Sequence, residues 1–501
     1  MISRIGAGVL LLLGLAVQAP AAEIKRNWGV ILSADYNSNL GLRSVDEQSG
    51  TVLRVSPFYT VQRAGARAKT TFTYAPQVVF YPQGTYDNQV WQYLSARSNI
   101  EVVKNNFFLD VYATANPNTI SPDRPIGGLT GISDTNPNNL SQTFTAGITP
   151  RLTLRVKDYA NVNISPGINY VYNSEGTTDN YGGTNTRASV SSGTYFSRMP
   201  WSLTYSANLL NNQGNDNFQS TTGRVGYIFN RKWQVYLRLI YDNNSYQSTS
   251  STSGLGWQAG VTWTPTARTS ITAGYGDRYF GAWPTLSLSH RARHTAWTAR
   301  WESTVYNARQ ELLGQQIFPV TDAFGNPIQN PVTQDQVLLQ AGSPALTNAV
   351  YVNNNFSATV STNWRRTPAS LNFNYYQRKY QDQPLNTDDY TVYGRIGRNL
   401  SARTSLNLSL QWWDHSEQRT DAVDYTQKVA AVWLQRTITQ NLSSRLGYSY
   451  TKRTSSDPLN EYDNNQIFLA IVLTPGGQGG GGAVRGGAGL NIGSPGANLG
   501  R

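Results

Sequence analysis

The feature that most constrains this chain is a two-residue alternation of large and small side chains, interrupted by tight turns. In AGVTWTPTARTSITAGYGDRYF, residues 259–280, apolar or aromatic residues alternate with small or polar ones on both sides of TPTA. Alternate side chains of a β-strand point to opposite faces, so each segment has one apolar and one polar face. Similar segments recur about every 21 residues and predict an all-β chain of roughly 22 strands, within a range of about 20 to 24.

The apolar faces end in aromatic residues and are aliphatic in between, as in Trp233–Tyr241. This pattern is typical of strands that cross a bilayer, where aromatic rings lie at both membrane interfaces. The predicted lipid-interface aromatic residues are Trp201, Trp233, Tyr241, Trp257, Trp263, Tyr275 and Trp412. The sequence therefore predicts a transmembrane antiparallel up-and-down β-barrel. The alternative, a soluble β-sandwich or propeller, would favour a packed core and shorter strands.

The predicted connections support the barrel, because their lengths are sorted. Every second link is short, for example KNN and NRK, whereas the two longest, Asn116–Asn139 and Asn307–Ala349, both belong to the other class. Bacterial barrels have short periplasmic turns and long outer loops. The pattern therefore places the chain in the bacterial outer membrane, with the first strand starting on the periplasmic side.

Three segments are predicted along the chain. Residues 1–21 form a signal peptide, with an early Arg4 and a short apolar run that ends before Ala19-Pro20-Ala21. Residues 22–473 form the barrel. Residues 474–501 are rich in glycine and are predicted to be a flexible periplasmic tail.

Few residues indicate cofactor or metal chemistry. The chain contains no cysteine, which excludes disulfides and thiolate metal sites. Gly477, Gly479 and Gly482 have the spacing of a dinucleotide-binding loop, but no βαβ unit surrounds them. No zinc motif, phosphate-binding loop or nucleophile elbow is present, so neither a cofactor nor a metal site is predicted.

Arginine dominates the polar faces. The arginines predicted to face the lumen are Arg54, Arg155, Arg187, Arg224, Arg238, Arg268, Arg278, Arg300, Arg395 and Arg445. The clearest inward acids are fewer: Asp110, Asp242 and Glu302. A lumen lined with guanidinium groups attracts anions and repels cations. The alternative is structural, since inward ion pairs also brace a barrel wall.

The size of the predicted barrel raises the question of a constriction. Barrels with about 16 to 18 strands leave an aqueous channel, whereas those with about 22 are usually plugged. The first predicted strand begins shortly after the signal peptide, so no amino-terminal plug domain is expected. Either another segment occludes the lumen, or the barrel is open or narrower than its strand count suggests. The candidate for an inward-folded constriction is the loop Asn307–Ala349.

An enzymatic alternative rests on three histidines, His290, His294 and His415. The first two lie in a basic periplasmic turn. His415 follows Asp414, and the hairpin would bring it close to Asp388 and Asp389 at the outer rim. Such a group is similar to the water-activating residues of omptin proteases. Omptins are much shorter barrels, so this hypothesis is the weaker one and no catalytic residue is assigned.

One region resembles a known family. It contains Arg268-Thr269-Ser270 after a turn, then Arg278-Tyr279-Phe280-Gly281, then Ser289-His290-Arg291 and Trp297. These elements, over about fifty residues, resemble outer-membrane proteins associated with the PEP-CTERM/exosortase system. The resemblance implies an outer-membrane barrel in Gram-negative bacteria that export exopolysaccharide, and it provides no catalytic residues.

The sequence thus predicts a porin-like, non-enzymatic barrel that acts as a pore or export conduit for an anionic exopolysaccharide. The alternative is a structural or adhesion barrel with an occluded lumen. Expected partners are outer-membrane lipids, lipopolysaccharide, the anionic polysaccharide and periplasmic export components. No nucleic-acid partner is expected, because the sequence contains no nucleic-acid-binding module. The basic residues behind the net charge of +12 are spread around the barrel.

Overall fold

All strands of the described residues belong to one antiparallel sheet, seen in a computed structural model. The structure describes residues 23–475 except 122–123, 125–135, 176–179, 212–215, 308–309, 311–347, 365, 384 and 419–421. The strands are β1 (Glu23–Asn37), β2 (Gly50–Ala64), β3 (Ala68–Tyr74), β4 (Gln77–Phe80), β5 (Gln89–Trp91), β6 (Leu94–Val103), β7 (Phe107–Thr119), β8 (Leu140–Val156), β9 (Ala160–Asn173), β10 (Tyr181–Ser192), β11 (Trp201–Leu210), β12 (Asn217–Ile228), β13 (Trp233–Asn243), β14 (Ser253–Thr266), β15 (Thr269–Arg278), β16 (Gly281–Ala282), β17 (Thr285–Arg291), β18 (Thr295–Asn307), β19 (Val350–Trp364), β20 (Thr367–Tyr380), β21 (Asn386–Asn399), β22 (Thr404–Glu417), β23 (Tyr425–Thr437), β24 (Leu442–Ser455) and β25 (Tyr462–Leu473). Short 3₁₀ turns cover Pro137–Asn139, Thr194–Phe196 and Pro458–Asn460.

The sheet closes on itself. Strand β1 pairs with β2 along its whole length and with β25 from Val30↔Leu473 to Asn37↔Gln466. Because the last strand pairs with the first, the sheet has no free edge, and its backbone groups are hydrogen-bonded between strands. The wall is a closed barrel of 22 strands, which confirms the predicted fold class.

Three wall strands are interrupted, which is why more segments than wall strands are seen. β3 and β4 are separated at Ala75-Pro76, and β16 and β17 at Trp283-Pro284. Proline lacks the N–H that a central strand must donate, so each ladder breaks there. The third interruption, Gln92-Tyr93 between β5 and β6, is bridged by the side chain of Gln142, which accepts from Gln92 N (2.8 Å) and donates to Gln92 O (3.0 Å).

The two ends of the barrel differ in their connections. At one end, here called the short-turn end, the links are 65–67, 104–106, 157–159, 193–200, 229–232, 267–268, 292–294, 365–366, 400–403 and 438–441. The opposite long-loop end carries the longest links, 120–139 and 308–349. In bacterial barrels the short turns face the periplasm, so β1 starts on the periplasmic side, as predicted.

The outer surface is apolar and the inner surface polar. On β13, Val235, Leu237 and Leu239 are 39 to 51% exposed, whereas Tyr236 between them is 4% exposed. Six of the seven predicted interface aromatics are exposed on the outer surface, and Trp233 stacks on Trp263 with ring centroids 5.5 Å apart. The seventh, Trp201, is half-buried against Phe196. A closed wall with this apolar band belongs in a bilayer, and the chain is a bacterial outer-membrane protein.

The predicted signal peptide and nearly all of the predicted tail lie outside the described residues. In the described part of the chain, no helix has the length and apolar character needed to cross a membrane.

Closure is tested by enlarging a glycine beside the β1–β25 seam. A β-carbon on Gly29 would collide with the Leu473 carbonyl oxygen and the Phe58 ring, whereas one on Gly223 would have no heavy atom within 4 Å. We expect Gly29→Val to lower the free energy of unfolding by about 1–3 kcal/mol through overpacking, measured by urea titration in lipid vesicles. Gly223→Val is the control and should leave it nearly unchanged. Equal losses in both variants would contradict this account of the seam.

Candidate functional site: the lumen and its two ends

Nine of the ten predicted lumen arginines lie on the inner face of the wall, alternating with outward side chains. The exception is Arg268, which lies exposed in the 267–268 turn at the short-turn rim instead of on a strand. Strand β14 ends at Thr266 and β15 begins at Thr269, so Arg268 does not take part in the alternation of either strand. Whether these arginines select anions remains a prediction.

Several of these arginines are neutralised by carboxylates. Arg54 pairs with buried Asp35, and the Arg278 guanidinium donates to both carboxylate oxygens of Asp242, at 2.6 and 3.0 Å. Ion pairs also join Arg300 to Glu302 and Arg155 to Asp158. The third predicted inward acid, Asp110, lies 3.5 Å from Arg151. The pairs of Arg54 with Asp35, Arg278 with Asp242 and Arg151 with Asp110 join different strands, as the structural alternative expects. Those of Arg300 with Glu302 and Arg155 with Asp158 are local and exposed.

Other lumen arginines contact aromatic rings instead. The Arg224 guanidinium lies 4.2 Å from the ring centroid of Tyr236, and that of Arg395 lies 5.4 Å from Trp433. Two further predicted lumen arginines differ in burial. Arg445 on β24 is 8% exposed, whereas Arg187 on the inner face of β10 is exposed. Within the described residues, neither Arg224 nor Arg238 forms an ion pair with a carboxylate.

The charge of the described connections differs between the two ends of the barrel. In the described residues the short turns hold ten basic residues and one acid, Asp158: the ten are Arg67, Lys104, Lys157, Arg198, Arg231, Lys232, Arg268, Arg293, Arg366 and Arg403. The described residues of the opposite connections hold nine acids and two basic residues, Arg43 and Arg124. The nine acids are Asp46, Glu47, Asp87, Glu175, Asp216, Asp382, Asp424, Asp457 and Glu461. An anion is thus attracted at the periplasmic end and repelled at the outer end.

The link 244–252 reaches across the long-loop end. Its Tyr246 stacks on Phe218 of β12, with ring centroids 5.4 Å apart. Its Thr249 donates a backbone hydrogen bond of 2.8 Å to Gln381, in the link after β20. Because β13 and β20 are well separated around the wall, this link spans part of the mouth. We call residues 244–252 the crossing loop.

An apolar cluster beneath the crossing loop joins the same two sides of the barrel. Tyr181, Leu210 and Phe218 from β10–β12 pack with Tyr246 and with Val350 of β19. Asn307 Nδ2 at the end of β18 donates to the Tyr181 hydroxyl at 3.3 Å, although six wall strands separate β10 from β18. The lumen is therefore narrowed at its outer end.

Burial also fixes the protonation of the tyrosines at this end. It raises the pKa of the Tyr246 and Tyr279 hydroxyls above the ordinary value, and the two oxygens lie 3.1 Å apart. Both therefore stay protonated at neutral pH and can donate hydrogen bonds.

The sequence did not identify this constriction. It predicted one in Asn307–Ala349, of which nearly all lies outside the described residues. The available signal was Tyr246 within the polar stretch NNSYQSTSST, because an aromatic residue in such a loop needs an apolar surface to pack against.

The outer-rim acids do not assemble as the hydrolase hypothesis required. Asp389 faces inward, where it lies 2.7 Å from His415 Nδ1 and 2.8 Å from Arg378. Asp388 faces the other side of the wall and accepts from the Tyr375 hydroxyl at 2.8 Å. Consecutive residues of a strand point to opposite faces, so the pair is split. No group of three metal-ligating residues occurs among the described side chains.

Comparisons with known proteins support the fold. No protein-family model and no curated protein matches the sequence. The chain is similar in structure to the siderophore receptor PirA from Acinetobacter baumannii, with a TM-score of 0.50 and 8% identity, over 90% of this chain and 81% of that one. The FrpB iron transporter from Neisseria meningitidis gives a TM-score of 0.49 and 10% identity, over 89% of this chain and 81% of that one. At such identities the likeness concerns the barrel fold alone.

The crossing loop can be tested with two introduced cysteines, because the chain has none of its own. We expect Thr249→Cys with Gln381→Cys to form a disulfide, since the two backbones are hydrogen-bonded. Reduction should then raise single-channel conductance in planar bilayers, as the loop becomes free to leave the mouth. Either single variant serves as the control. A double variant that never cross-links would contradict the crossing position.

Asp388 and Asp389, which face opposite sides of the wall, provide a matched pair of variants for a stability measurement. We expect Asp389→Asn to lower the free energy of unfolding by about 3–5 kcal/mol, because it removes a buried carboxylate that pairs with both Arg378 and His415. Asp388→Asn should cost only about 1 kcal/mol, since it weakens hydrogen bonds of a partly exposed group. Urea unfolding of the two variants in the same vesicles compares them directly. A larger loss for Asp388→Asn would reverse the assigned faces.

Proposed function

We propose that this protein is an outer-membrane transport barrel that passes an anionic polymer from the periplasm to the cell exterior. The observation that carries the proposal is the sorting of charge, with basic short turns, arginines on the inner wall and acidic long loops. A field of this shape concentrates an anion at the periplasmic entrance and disfavours its return from outside.

We further propose that the polymer is an acidic exopolysaccharide. A long chain of carboxylates, sulfates or phosphates binds a row of guanidinium groups weakly at many points, and each point can be released while others hold. The resemblance of residues 268–297 to barrels of the PEP-CTERM/exosortase system favours the same substrate class. Periplasmic export components would deliver the polymer to the basic rim, and lipopolysaccharide would surround the outer end.

The crossing loop gives the conduit an outer gate. Two backbone hydrogen bonds between Ser245 and Asn217 anchor the loop to its own side of the barrel. Only Thr249, whose backbone N and hydroxyl both donate to Gln381 O, and the packing of Tyr246 would have to be released for the loop to leave the mouth. A polymer that arrives from below would displace these contacts as it leaves the barrel.

The narrowing of the lumen at its outer end also favours a second candidate function. If the crossing loop never opens, the protein is a scaffold or adhesion barrel whose acidic outer loops bind partners. The contacts of Tyr181 with Asn307 and of Thr249 with Gln381 support this reading. Conductance separates the two, because the scaffold carries no current.

The conduit is tested by adding hexagalacturonate to either side of the barrel in a planar bilayer. We expect an anion-selective current that the oligomer blocks at least about tenfold faster from the short-turn side, because the basic rim attracts it there. Replacing Arg231, Lys232, Arg268 and Arg293 by Gln should remove this difference. The control is Arg155→Gln with Asp158→Asn, which removes an exposed ion pair at the same rim without changing net charge. Cation selectivity, or equal block from both sides, would contradict the proposal.

A further inference from the structure

A cation–aromatic ladder lies on the inner wall between β12 and β17. The Arg224 guanidinium lies 4.2 Å from the Tyr236 ring centroid, and that of Arg238 lies 5.7 Å from the same ring and 5.2 Å from Trp283. The Arg278 guanidinium lies 5.0 Å from the ring centroid of Trp283. Three guanidinium groups thus alternate with two rings.

The Tyr236 ring of this ladder packs directly against two glycines of neighbouring strands. Tyr236 lies so close to Gly260 and Gly274 that a β-carbon on either would collide with its phenol. Trp283 is held by two hydrogen bonds, from its own N to Gly276 O at 2.9 Å and from Gln258 Nε2 to its carbonyl at 3.1 Å. Both rings are buried, 4% and 6% exposed, so the surfaces on which the arginines stack are fixed in place.

The two ends of the ladder differ in charge. Arg278 is neutralised by the bidentate pair with Asp242. Arg224 and Arg238 are directly opposite each other on neighbouring strands, and among the described residues neither has a carboxylate partner. Like charges directly opposite on a sheet destabilise it. Elsewhere on the inner wall Arg54, Arg278 and Arg300 each receive an acid, so the wall can supply one. Two opposed arginines without an acid leave a place for an external counter-charge.

We propose that Arg224 and Arg238 form a binding site for one oxyanion, a carboxylate, sulfate or phosphate group of the transported polymer. A guanidinium stacked by its face keeps the N–H groups of its edge available, and these suit a planar or tetrahedral oxyanion. Both side chains are only partly buried, so an anion in the lumen can reach them. The identity of the ligand as transported polymer rests on the proposed function, whereas the oxyanion site does not.

The test is calorimetric titration of the full-length barrel in detergent with sodium sulfate, trigalacturonate and neutral maltotriose. We expect the two anions to bind and maltotriose not to, and Arg224→Gln and Arg238→Gln each to weaken binding by about tenfold. Arg300→Gln is the matched control, because it removes an equal inward charge that Glu302 already neutralises, and it should change affinity less than about twofold. Heat-modifiable migration in gels shows that each variant is folded.

The outcomes separate the site from the conduit. Anion binding that both variants lose and the control keeps supports the site, even if bilayers show no current. Unchanged binding in the Arg224→Gln, Arg238→Gln double variant overturns it, and so does an equal loss in Arg300→Gln, which would reflect lumen charge in general. An anion-selective current without such binding would support the conduit and contradict the oxyanion site. A folded wild type that binds trigalacturonate but not sulfate confines the site to the carboxylates of a sugar polymer.

Discussion

The hydrogen-bonding requirement of the backbone in lipid governs this structure. A peptide group that crosses the hydrocarbon region without a partner costs several kcal/mol, so a sheet can span the bilayer only when its last strand pairs with its first. Here the β1–β25 ladder meets that requirement. Closure then fixes two surfaces, and the two-residue period assigns each side chain to one of them. The apolar residues go to lipid, and the arginines go inside.

Closure also determines the surroundings of the charged side chains on the inner surface. An inward charge is removed from bulk water on one side, and the wall provides two kinds of partner for it. Arg54, Arg278 and Arg300 receive carboxylates, whereas Arg224 and Arg238 receive aromatic rings but no acid in the described part of the chain. The first group is neutralised within the wall. The second has no acid, and we propose that its charge, together with the basic short turns, gives transport its direction.

Much of the fold could be predicted from the sequence, because the period of two and the sorted link lengths are local signals. The interruptions within strands were less accessible: Pro76 separates β3 from β4 because it lacks a backbone N–H. The partners of the arginines and the crossing loop depend on contacts between distant strands, such as Tyr181 with Asn307, which no local pattern encodes. The split of Asp388 from Asp389, by contrast, follows from alternation alone and was available in the sequence.

The central claim is that one face of each strand meets lipid while the other meets a wet, positively charged lumen. Single cysteines placed at each position from 234 to 241 of β13, in a chain that has no other cysteine, test it through their rates of reaction with charged thiosulfonates in vesicles. The account predicts modification at positions 234 and 238, which are partly exposed to the lumen, and none at the lipid-facing positions 235, 237 and 239. The anionic reagent should react faster than the cationic one. Reaction at odd positions, or a faster cationic reagent at even ones, would contradict it.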